Sequence, residues 1–318
     1  MNHQFLPEGR RMDTLENRKF TSGFQGLQDA MCQGRILEGR AVRCDAAHDL
    51  FVDFGFCQGV IPHEEAAAGL ADGSTREIAV LTRVGKPVCF TVTGFELDGS
   101  GMARPVLSRR AAQLRCREEY LARLAPGDVI PARVTRLEPF GAFVDLGCGV
   151  ASLLPIDTIS VSRIAHPGDR FAVGMDLRVV VRGRDDRDRI TLTHRELLGT
   201  WQENADLFSP GETVPGVVRS VEDYGIFVEL MPNLAGLAEY RSGVRPGQQA
   251  TVTVKSLSPQ KMKVKLILIE SYDDPRPPAP PRYFFTGEHL DHWDYSPVDC
   301  TRQVGTVFAK PEGGGLPQ

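Results

Sequence analysis

The strongest constraint on this chain is a stretch of sequence that occurs twice in register without a gap. Residues 127–146, GDVIPARVTRLEPFGAFVDL, align with residues 211–230, GETVPGVVRSVEDYGIFVEL. A weaker copy at residues 34–55, GRILEGRAVRCDAAHDLFVDFG, fits with one extra residue. Copies of this length with their flanking sequence are whole small domains rather than solenoid units. The chain is therefore predicted to contain three related domains in tandem.

Each copy carries a pair of ring-bearing side chains on either side of a predicted bend in the strand. They are His48 and Phe51 in the first copy, Phe140 and Phe143 in the second, and Tyr224 and Phe227 in the third. If Val144 points into a core, the two-residue period of a strand places Phe143 on the outer face. Phenylalanine is often a core residue, and that is the alternative interpretation. The return of the pair in register favours an exposed aromatic pair.

The pattern around the copies is typical of small all-β barrels. Each copy is followed by a strand-like run, at residues 106–110, 190–197 and 264–271, and glycine turns separate the strands. One irregular segment lies between the third and fourth strands of each unit. We therefore predict an all-β fold of three tandem five-stranded OB-fold barrels, joined by short linker helices and followed by a disordered C-terminal tail.

These motifs together resemble the RNA-binding repeat first described in ribosomal protein S-one and also found in polynucleotide phosphorylase. The second repeat carries nearly all of the signature: FGAFV at 140–144, LLP at 153–155, and Asp185 followed by RITLT at 189–193. The resemblance extends from near Cys32 to near Glu270. It implies OB barrels that bind single-stranded RNA.

In repeat two, strand alternation is expected to gather Phe140, Phe143, Arg178, Arg182 and Arg189 on one outer surface. Val180, Thr191 and Thr193 are expected to point outward with the arginines. Aromatic faces rimmed with guanidinium groups suit single-stranded RNA, since bases stack on the rings.

The resemblance adds the hairpin pair Asp185 and Arg189, and a histidine after the third strand. Pro155 stands in that histidine position, which removes one contact. For the charged run at 182–189 the alternative is a solvated hairpin tip in which Asp185 and Arg189 only bridge each other.

Repeat three keeps the aromatic pair but changes the hairpin. Lys263 stands where Arg189 lies in repeat two, with Lys261 and Lys265 beside it. Glu239 occupies the histidine position, and the hairpin sequence at 258–260 has no Asp. We expect this repeat to bind RNA less tightly than repeat two.

Repeat one departs at the binding face, where His48 replaces an aromatic and Asp49-Leu50 replaces Gly-Ala. It is interpreted as a degenerate repeat with a mainly structural or protein-binding role. His48 and His63 are interpreted as ordinary surface or turn histidines, and no metal site is predicted.

The expected organisation has seven parts. They are a leader at 1–32, loose over 1–22 and then a short helix; repeat one at 33–110; a linker helix at 111–125; repeat two at 126–197; a linker helix at 198–209; repeat three at 210–270; and a Pro-rich tail at 271–318. Trp201 is expected to pack between domains, and Arg115 and Arg117 to be solvated. An aromatic stretch at 282–308 is interpreted as a short β-hairpin or a docking motif, and its HxxH, His289 and His292, as no metal site.

Composition excludes several classes of protein. The net charge is −4 and the pI about 6.0, so the chain is not a basic protein that coats phosphates, and stacking must supply the affinity. The seven cysteines are scattered singly, which favours a reduced cytosolic interior over disulfides or a metal site. No signal peptide or membrane span is recognisable. A cytoplasmic, monomeric protein without cofactor is expected.

No catalytic constellation is recognisable, so the chain is predicted to be a non-enzymatic binder of single-stranded RNA. The resemblance implies a role in translation, with messenger RNA and the small ribosomal subunit as partners. The alternatives are a stand-alone RNA-binding regulator of mRNA stability or translation, or an OB-fold scaffold for protein contacts. A nuclease would need a catalytic domain that the sequence does not show.

Overall fold

The computed structural model of the protein describes residues 4–99 and 101–308, and it confirms three tandem five-stranded barrel sheets. The chain divides into two compact units. One consists of Met1–Leu124 with Asp145–Ala151, and the other of Ala125–Val144 with Ser152–Gln318. The first unit contains repeat one, and the second contains most of repeat two, all of repeat three and the C-terminal region.

The first unit is a closed barrel with helices around it. Its elements are α1 (Leu15–Thr21), α2 (Phe24–Cys32), β1 (Leu37–Cys44), β2 (Leu50–Asp53), β3 (Gln58–Ile61), α3 (Ile78–Leu81), β4 (Pro87–Leu97), β5 (Ala103–Ser108) and α4 (Arg109–Arg115). The strand order is β1-β2-β3-β5-β4. Leu27 and Ala30 of α2 are buried in the same cluster as Leu37 and Phe90 of the barrel. The amphipathic helix expected before repeat one therefore packs on that repeat.

The leader is ordered, and the expectation of a loose segment over residues 1–22 is wrong for its described part. The Glu8 carboxylate accepts hydrogen bonds from Arg109 at 2.7 and 3.0 Å, and both side chains are buried. Glu38 on β1 accepts from the backbone N–H groups of Gly9, Arg11 and Met12. Local composition could not reveal this, because each partner lies far along the chain.

The first linker begins as α4 and continues through a π-helical turn at Cys116–Tyr120 and a 3-10 turn at Leu121–Arg123. The Arg115 side chain donates to the carbonyl of Gly34 and pairs with Glu119 four residues on. Arg115 is therefore engaged within its own unit.

Repeat two is a five-stranded sheet in the order β10-β9-β6-β7-β8. Its strands are β6 (Val129–Glu138), β7 (Gly141–Asp145), β8 (Ala151–Pro155), β9 (Asp176–Arg184) and β10 (Ile190–Thr193). Ala132, Val134 and Val144 are almost fully buried, as the strand period predicts. The first and last strands of the order, β10 and β8, approach where the Ser152 hydroxyl donates to the Ile190 carbonyl at 2.6 Å.

Repeat three follows the second linker and is a closed barrel in the order β11-β12-β13-β15-β14. The elements are α5 (Trp201–Ala205), β11 (Thr213–Glu222), β12 (Gly225–Met231), β13 (Leu234–Ala238), β14 (Gln249–Ser258) and β15 (Lys263–Tyr272). A 3-10 turn at Arg195–Leu198 precedes α5, so the linker is two short helices. The buried Glu229 carboxylate pairs with Arg219 at 2.8 Å and also with Arg170 of repeat two. One buried carboxylate thus receives arginines from both barrels.

The C-terminal segment, residues 283–308, packs on repeats two and three. Its strands β16 (His292–Asp294) and β17 (Gly305–Val307) pair antiparallel, which confirms the interpretation of a short hairpin. Trp293 and Tyr295 are buried with Trp201 in the core cluster of repeat three. The predicted disordered tail is therefore wrong for this segment, while the glycine-rich end at 312–318 lies outside the described residues.

None of the helices formed by residues 4–99 and 101–308 has the length and apolar character needed to span a membrane.

Candidate nucleic-acid interface

The two aromatic pairs have the same geometry in both repeats. The rings of Phe140 and Phe143 are 6.1 Å apart at an interplanar angle of 88°, and those of Tyr224 and Phe227 are 6.2 Å apart at 87°. Phe140 is 55% exposed and Tyr224 is 70% exposed. Phe143 and Phe227 are half-buried. Each repeat therefore presents one protruding ring beside one anchored ring, rather than two core phenylalanines.

A glycine between the two aromatics permits the close approach of the next strand. A Cβ at Gly141 would lie 2.5 Å from the carbonyl oxygen of Leu154, and one at Gly225 would lie 2.5 Å from that of Ala238. Any side chain at these positions would push the strands apart. The glycine thus keeps the aromatic strand against β8 in repeat two and against β13 in repeat three.

In repeat three, strand register places two lysines on the same outer face as the anchored ring Phe227. Phe227 on β12 lies opposite Leu237 on β13, which in turn lies opposite Lys265 on β15. Directly opposed residues project to the same face of a sheet, so these three share the outer surface. Lys263 lies two residues before Lys265 on the same face, and Lys261 lies in the preceding turn. The register therefore places Phe227, Lys263 and Lys265 on one face of the sheet, with Lys261 in the turn that leads into β15.

Arg136 is a platform residue that the sequence interpretation missed. Its guanidinium carbon lies 4.6 Å from the centre of the Phe143 ring, within cation–π range. Its side chain is 63% exposed and also pairs with Glu138. A sequence signal did exist, because Arg43 precedes Phe51 at the corresponding position of the first copy.

The hairpin pair of repeat two is formed, and Asp185 mainly orders the turn. One Asp185 oxygen accepts from the backbone N–H groups of Arg187 and Arg189 at 3.0 and 2.9 Å, and the other accepts from the Arg189 side chain at 2.8 Å. The hydrogen bond from the Arg189 side chain, with those from the backbone, lowers the Asp185 pKa to about 2. The Arg189 side chain remains 68% exposed. Asp185 therefore positions Arg189 at the edge of the barrel.

The predicted placement of Arg178 with the aromatics is wrong. Its guanidinium donates to the carbonyl of Phe285 at 2.7 Å, to that of Thr286 at 3.2 Å and to that of Gly287. Its backbone N–H donates to the Tyr283 hydroxyl at 2.9 Å. The C-terminal segment thus occupies Arg178, although Arg182 further along β9 is exposed.

The same segment explains a second departure on the outer face of β9. Val180 was expected to face outward beside the arginines, but it is fully buried in a cluster with Val129, Leu197 and Phe308. Thr193 on β10, also expected to point out, is buried and contacts Glu196. The alternation was assigned correctly for the barrel, but the chain's own later residues cover that face.

Repeat one lacks an open platform. The Arg43 guanidinium carbon lies 3.4 Å from the centre of the Phe51 ring, with Arg104 at 5.7 Å, and Phe51 is only 4% exposed. Asp49, at the position of Gly141, accepts a hydrogen bond from the backbone N–H of His63 at 2.7 Å. In repeat two the corresponding contact is made by the carbonyl of Phe140 with Ile156 N–H at 3.0 Å. The two arginines therefore close the ring face of Phe51, and repeat one has no exposed second ring at the position of Phe140 or Tyr224.

The HxxH histidines lie beside acidic side chains. His289 contacts Asp128 at 2.7 Å and Asp291 at 3.3 Å, and the hydrogen bond to Asp128 raises its pKa. His292 lies near Asp294.

Comparison with known proteins gives a family match in the middle of the chain. Residues 123–195 match the family described as "S1 RNA binding domain". This range includes the aromatic pair, the third-strand motif and the hairpin of repeat two.

Three bacterial ribosomal proteins are similar over longer stretches. The small ribosomal subunit protein bS1 homolog of Bacillus subtilis is 29% identical over 276 residues, which cover 81% of this chain and 66% of that protein. Small ribosomal subunit protein bS1 of Leuconostoc lactis is 34% identical over 54% of this chain and 43% of its own length. That of Staphylococcus aureus is 32% identical over 51% and 46%. The chain thus spans between 43% and 66% of the length of these relatives. The middle of the chain thus matches the S1 RNA-binding domain family, and longer stretches of the chain are similar to small ribosomal subunit proteins bS1.

Proposed function

We propose that the protein binds single-stranded RNA through the aromatic platforms of repeats two and three. The observation that carries this proposal is the recurrence of one ring geometry on two barrels, with a protruding ring that is more than half exposed in each. A large exposed aromatic side chain loses the benefit of burial, so its repetition at the same place favours a binding role. The proposed contacts are Phe140, Phe143, Arg182, Arg189, Tyr224, Phe227, Lys261, Lys263 and Lys265, with Arg136 added and with Asp185 positioning Arg189.

Binding would proceed by stacking, with cations neutralising the backbone. Each stacked base contributes about 1–3 kcal/mol and requires no particular base identity. The guanidinium of Arg136 above Phe143 would meet either a base face or a phosphate once RNA enters. Because the chain is acidic overall, the salt dependence should reflect only these few cations. We therefore expect low sequence preference and a shallow salt slope.

The test is a fluorescence titration of a labelled single-stranded RNA with the wild type and with the Phe140→Ala/Tyr224→Ala double variant. Both rings are exposed, so their removal should leave the barrels folded. Loss of one stacked base per repeat should weaken binding by about 1–3 kcal/mol for each ring, since stacking on the ring is the contact removed.

The matched control is Tyr272→Ala, which removes an exposed aromatic from the opposite end of β15 to Lys263. It should bind RNA as the wild type does. If the folded wild type does not bind RNA, the proposal is wrong, and the alternative of an OB-fold scaffold for protein contacts is favoured. Equal weakening by the double variant and the control would exclude the platforms as the binding surface.

We further propose that the RNA is messenger RNA and that the protein acts in translation at the small ribosomal subunit. The support is the similarity to proteins named as small ribosomal subunit protein bS1. A stand-alone regulator of mRNA stability or translation is the rival. Sedimentation of the protein with purified small subunits at moderate salt distinguishes the two, because the regulator would stay in the supernatant.

A further inference from the structure

A second cluster of different chemistry lies on repeat one, where His48, His63 and Glu77 converge. His48 Nδ1 is 3.3 Å from Glu77 Oε2, and His63 Nε2 is 3.9 Å from Glu77 Oε1. One donor atom from each of the three side chains lies within 4.8 Å of the other two. The residues come from the turn before β2, the turn after β3 and the start of α3.

The spacing of these atoms, up to 4.8 Å, is somewhat wider than that around a tetrahedral ion. Zinc binds imidazole nitrogen and carboxylate oxygen at about 2.0–2.2 Å, so donor atoms around it lie about 3.3–3.6 Å apart. The two contacts with Glu77 lie at and just above this range. Small side-chain rotations would therefore bring all three donors onto one ion.

A second, independent observation at this cluster is a buried His63 ring nitrogen that lacks a hydrogen-bond partner in the described part of the chain. Its Nε2 atom is shielded from solvent and has no hydrogen-bond partner among the described residues. A buried polar atom without a partner destabilises the folded state. A metal bound to the Nε2 lone pair would satisfy it.

The backbone holds two of the ligands in place. His48 adopts a left-handed conformation (φ 66°) in a turn that Asp45 fixes by accepting from the N–H groups of Ala47 and Asp49, both at 3.0 Å. The N–H of His63 donates to the Asp49 side chain. Non-glycine residues in this conformation are uncommon and cluster at functional sites.

We propose that His48, His63 and Glu77 form a binding site for one divalent transition-metal ion, with Zn²⁺ as the matching species. Two imidazoles and one carboxylate form a zinc-type donor set, and three protein ligands leave a fourth position for water. The ion ties the connection between β3 and β4 to the barrel. Repeat one thus carries a metal where the other repeats carry an aromatic platform.

The experiment titrates ZnCl₂ into the metal-free full chain in competition with a chromophoric chelator. Wild type should bind one equivalent. His48→Ala and Glu77→Gln should bind at least about 10- to 100-fold more weakly, because even indirect partners of metal ligands have effects of this size. The control His292→Ala removes an exposed histidine outside the cluster and should bind as the wild type does. Because a metal bound only by the folded state stabilises it, Zn²⁺ should raise the Tm of wild type and control but not of the two ligand variants.

Substitution with Co²⁺ distinguishes the donor atoms, since a histidine-carboxylate site gives d–d bands without thiolate charge transfer. That distinction matters because Cys44 and Cys57 belong to the same repeat. No Zn²⁺ binding by the folded wild type would overturn the proposal. Wild-type affinity in both ligand variants, or a thiolate charge-transfer band, would overturn it as well. Circular dichroism of the metal-free variants confirms that they are folded.

Discussion

Arg178 and Arg182 lie on the same strand, yet their guanidinium groups meet different surroundings. Arg178 is bound by carbonyls of the C-terminal segment, whereas Arg182 is exposed. We expect Arg178→Ala to lower the free energy of unfolding by about 1.5–3 kcal/mol, the usual contribution of hydrogen bonds to a charged group. RNA affinity should be unchanged. Urea unfolding and RNA titration of the same sample measure both, and weaker RNA binding at wild-type stability would refute the assignment.

Arg136 should show the opposite behaviour, because its guanidinium covers the half-buried ring of the platform. Arg136→Gln should weaken RNA binding and reduce the salt slope by about 0.7, the value for one phosphate contact with a single strand. Stability should change little, since the side chain is mostly exposed. The readout is the affinity over a salt series, with Arg178→Gln as the control. An unchanged slope would show that Arg136 does not neutralise a phosphate.

At the residue scale, the sequence predicted the two aromatic pairs because strand alternation and the repeat pointed to the same side chains. It could not predict the burial of Val180, because the covering residue Phe308 lies far along the chain. Glu77 was missed for a similar reason. It comes from the irregular connection between β3 and β4, where no period places a side chain.

At the element scale, the turn after β10 contains a buried histidine that links stability to pH. His194 Nδ1 lies 2.9 Å from the Ile159 carbonyl, and its ring packs edge-on against Phe171 and Tyr283. Burial lowers the His194 pKa to about 4, and nearby Arg170 adds to the effect. The unfolded chain takes up a proton near pH 6.5, so it binds more protons than the folded chain between pH 6.5 and 4. His194 therefore does not reduce the free energy of unfolding above pH 6.5. That free energy falls as the pH decreases from 6.5 to 4.

We expect acidification from pH 6.5 to 4 to cost about 3 kcal/mol through His194 alone. The measurement is the difference in unfolding free energy between wild type and His194→Gln across this range, with His292→Gln as the exposed control. The difference is needed because burial raises the pKa of Glu38 and Asp145 to about 7 in the other unit. A difference that does not vary with pH would show that His194 does not titrate as its burial requires.

The order of strands was predictable because glycine turns and β-rich runs recur in every copy. The turns between the last two strands of each barrel are harder to predict from sequence, yet the same hydrogen bond orders this turn in two repeats. Asp98 accepts from the N–H of Met102 at 3.0 Å just as Asp185 accepts from that of Arg189. An Asp five residues before the last strand therefore orders the turn even in repeat one, where the ring face is closed. This favours a structural role for Asp185 over direct contact with RNA.

At the scale of the whole molecule, two platforms on one chain should bind a long RNA more tightly than a short one. Tethering makes the second contact intramolecular, with an effective concentration in the millimolar range for short connections. An OB fold contacts about 4–16 nucleotides, so an RNA of about 6 nucleotides engages one repeat and one of about 30 engages both. Phe140→Ala alone and Tyr224→Ala alone should each abolish most of the gain from length. Gain retained in both single variants would mean that the repeats bind independently.

The position of residues 283–308 along the chain also determines when folding of repeats two and three can be completed during synthesis. Synthesis proceeds from the N-terminus, so the barrels of repeats two and three leave the ribosome before the C-terminal segment, which covers Val129, Val180 and Leu197. Until the C-terminal segment has been synthesised, the nascent chain exposes an apolar patch that can bind chaperones or cause aggregation. A fragment ending after β15 keeps this patch exposed permanently. A well-behaved expression fragment of repeats two and three should therefore extend through Phe308.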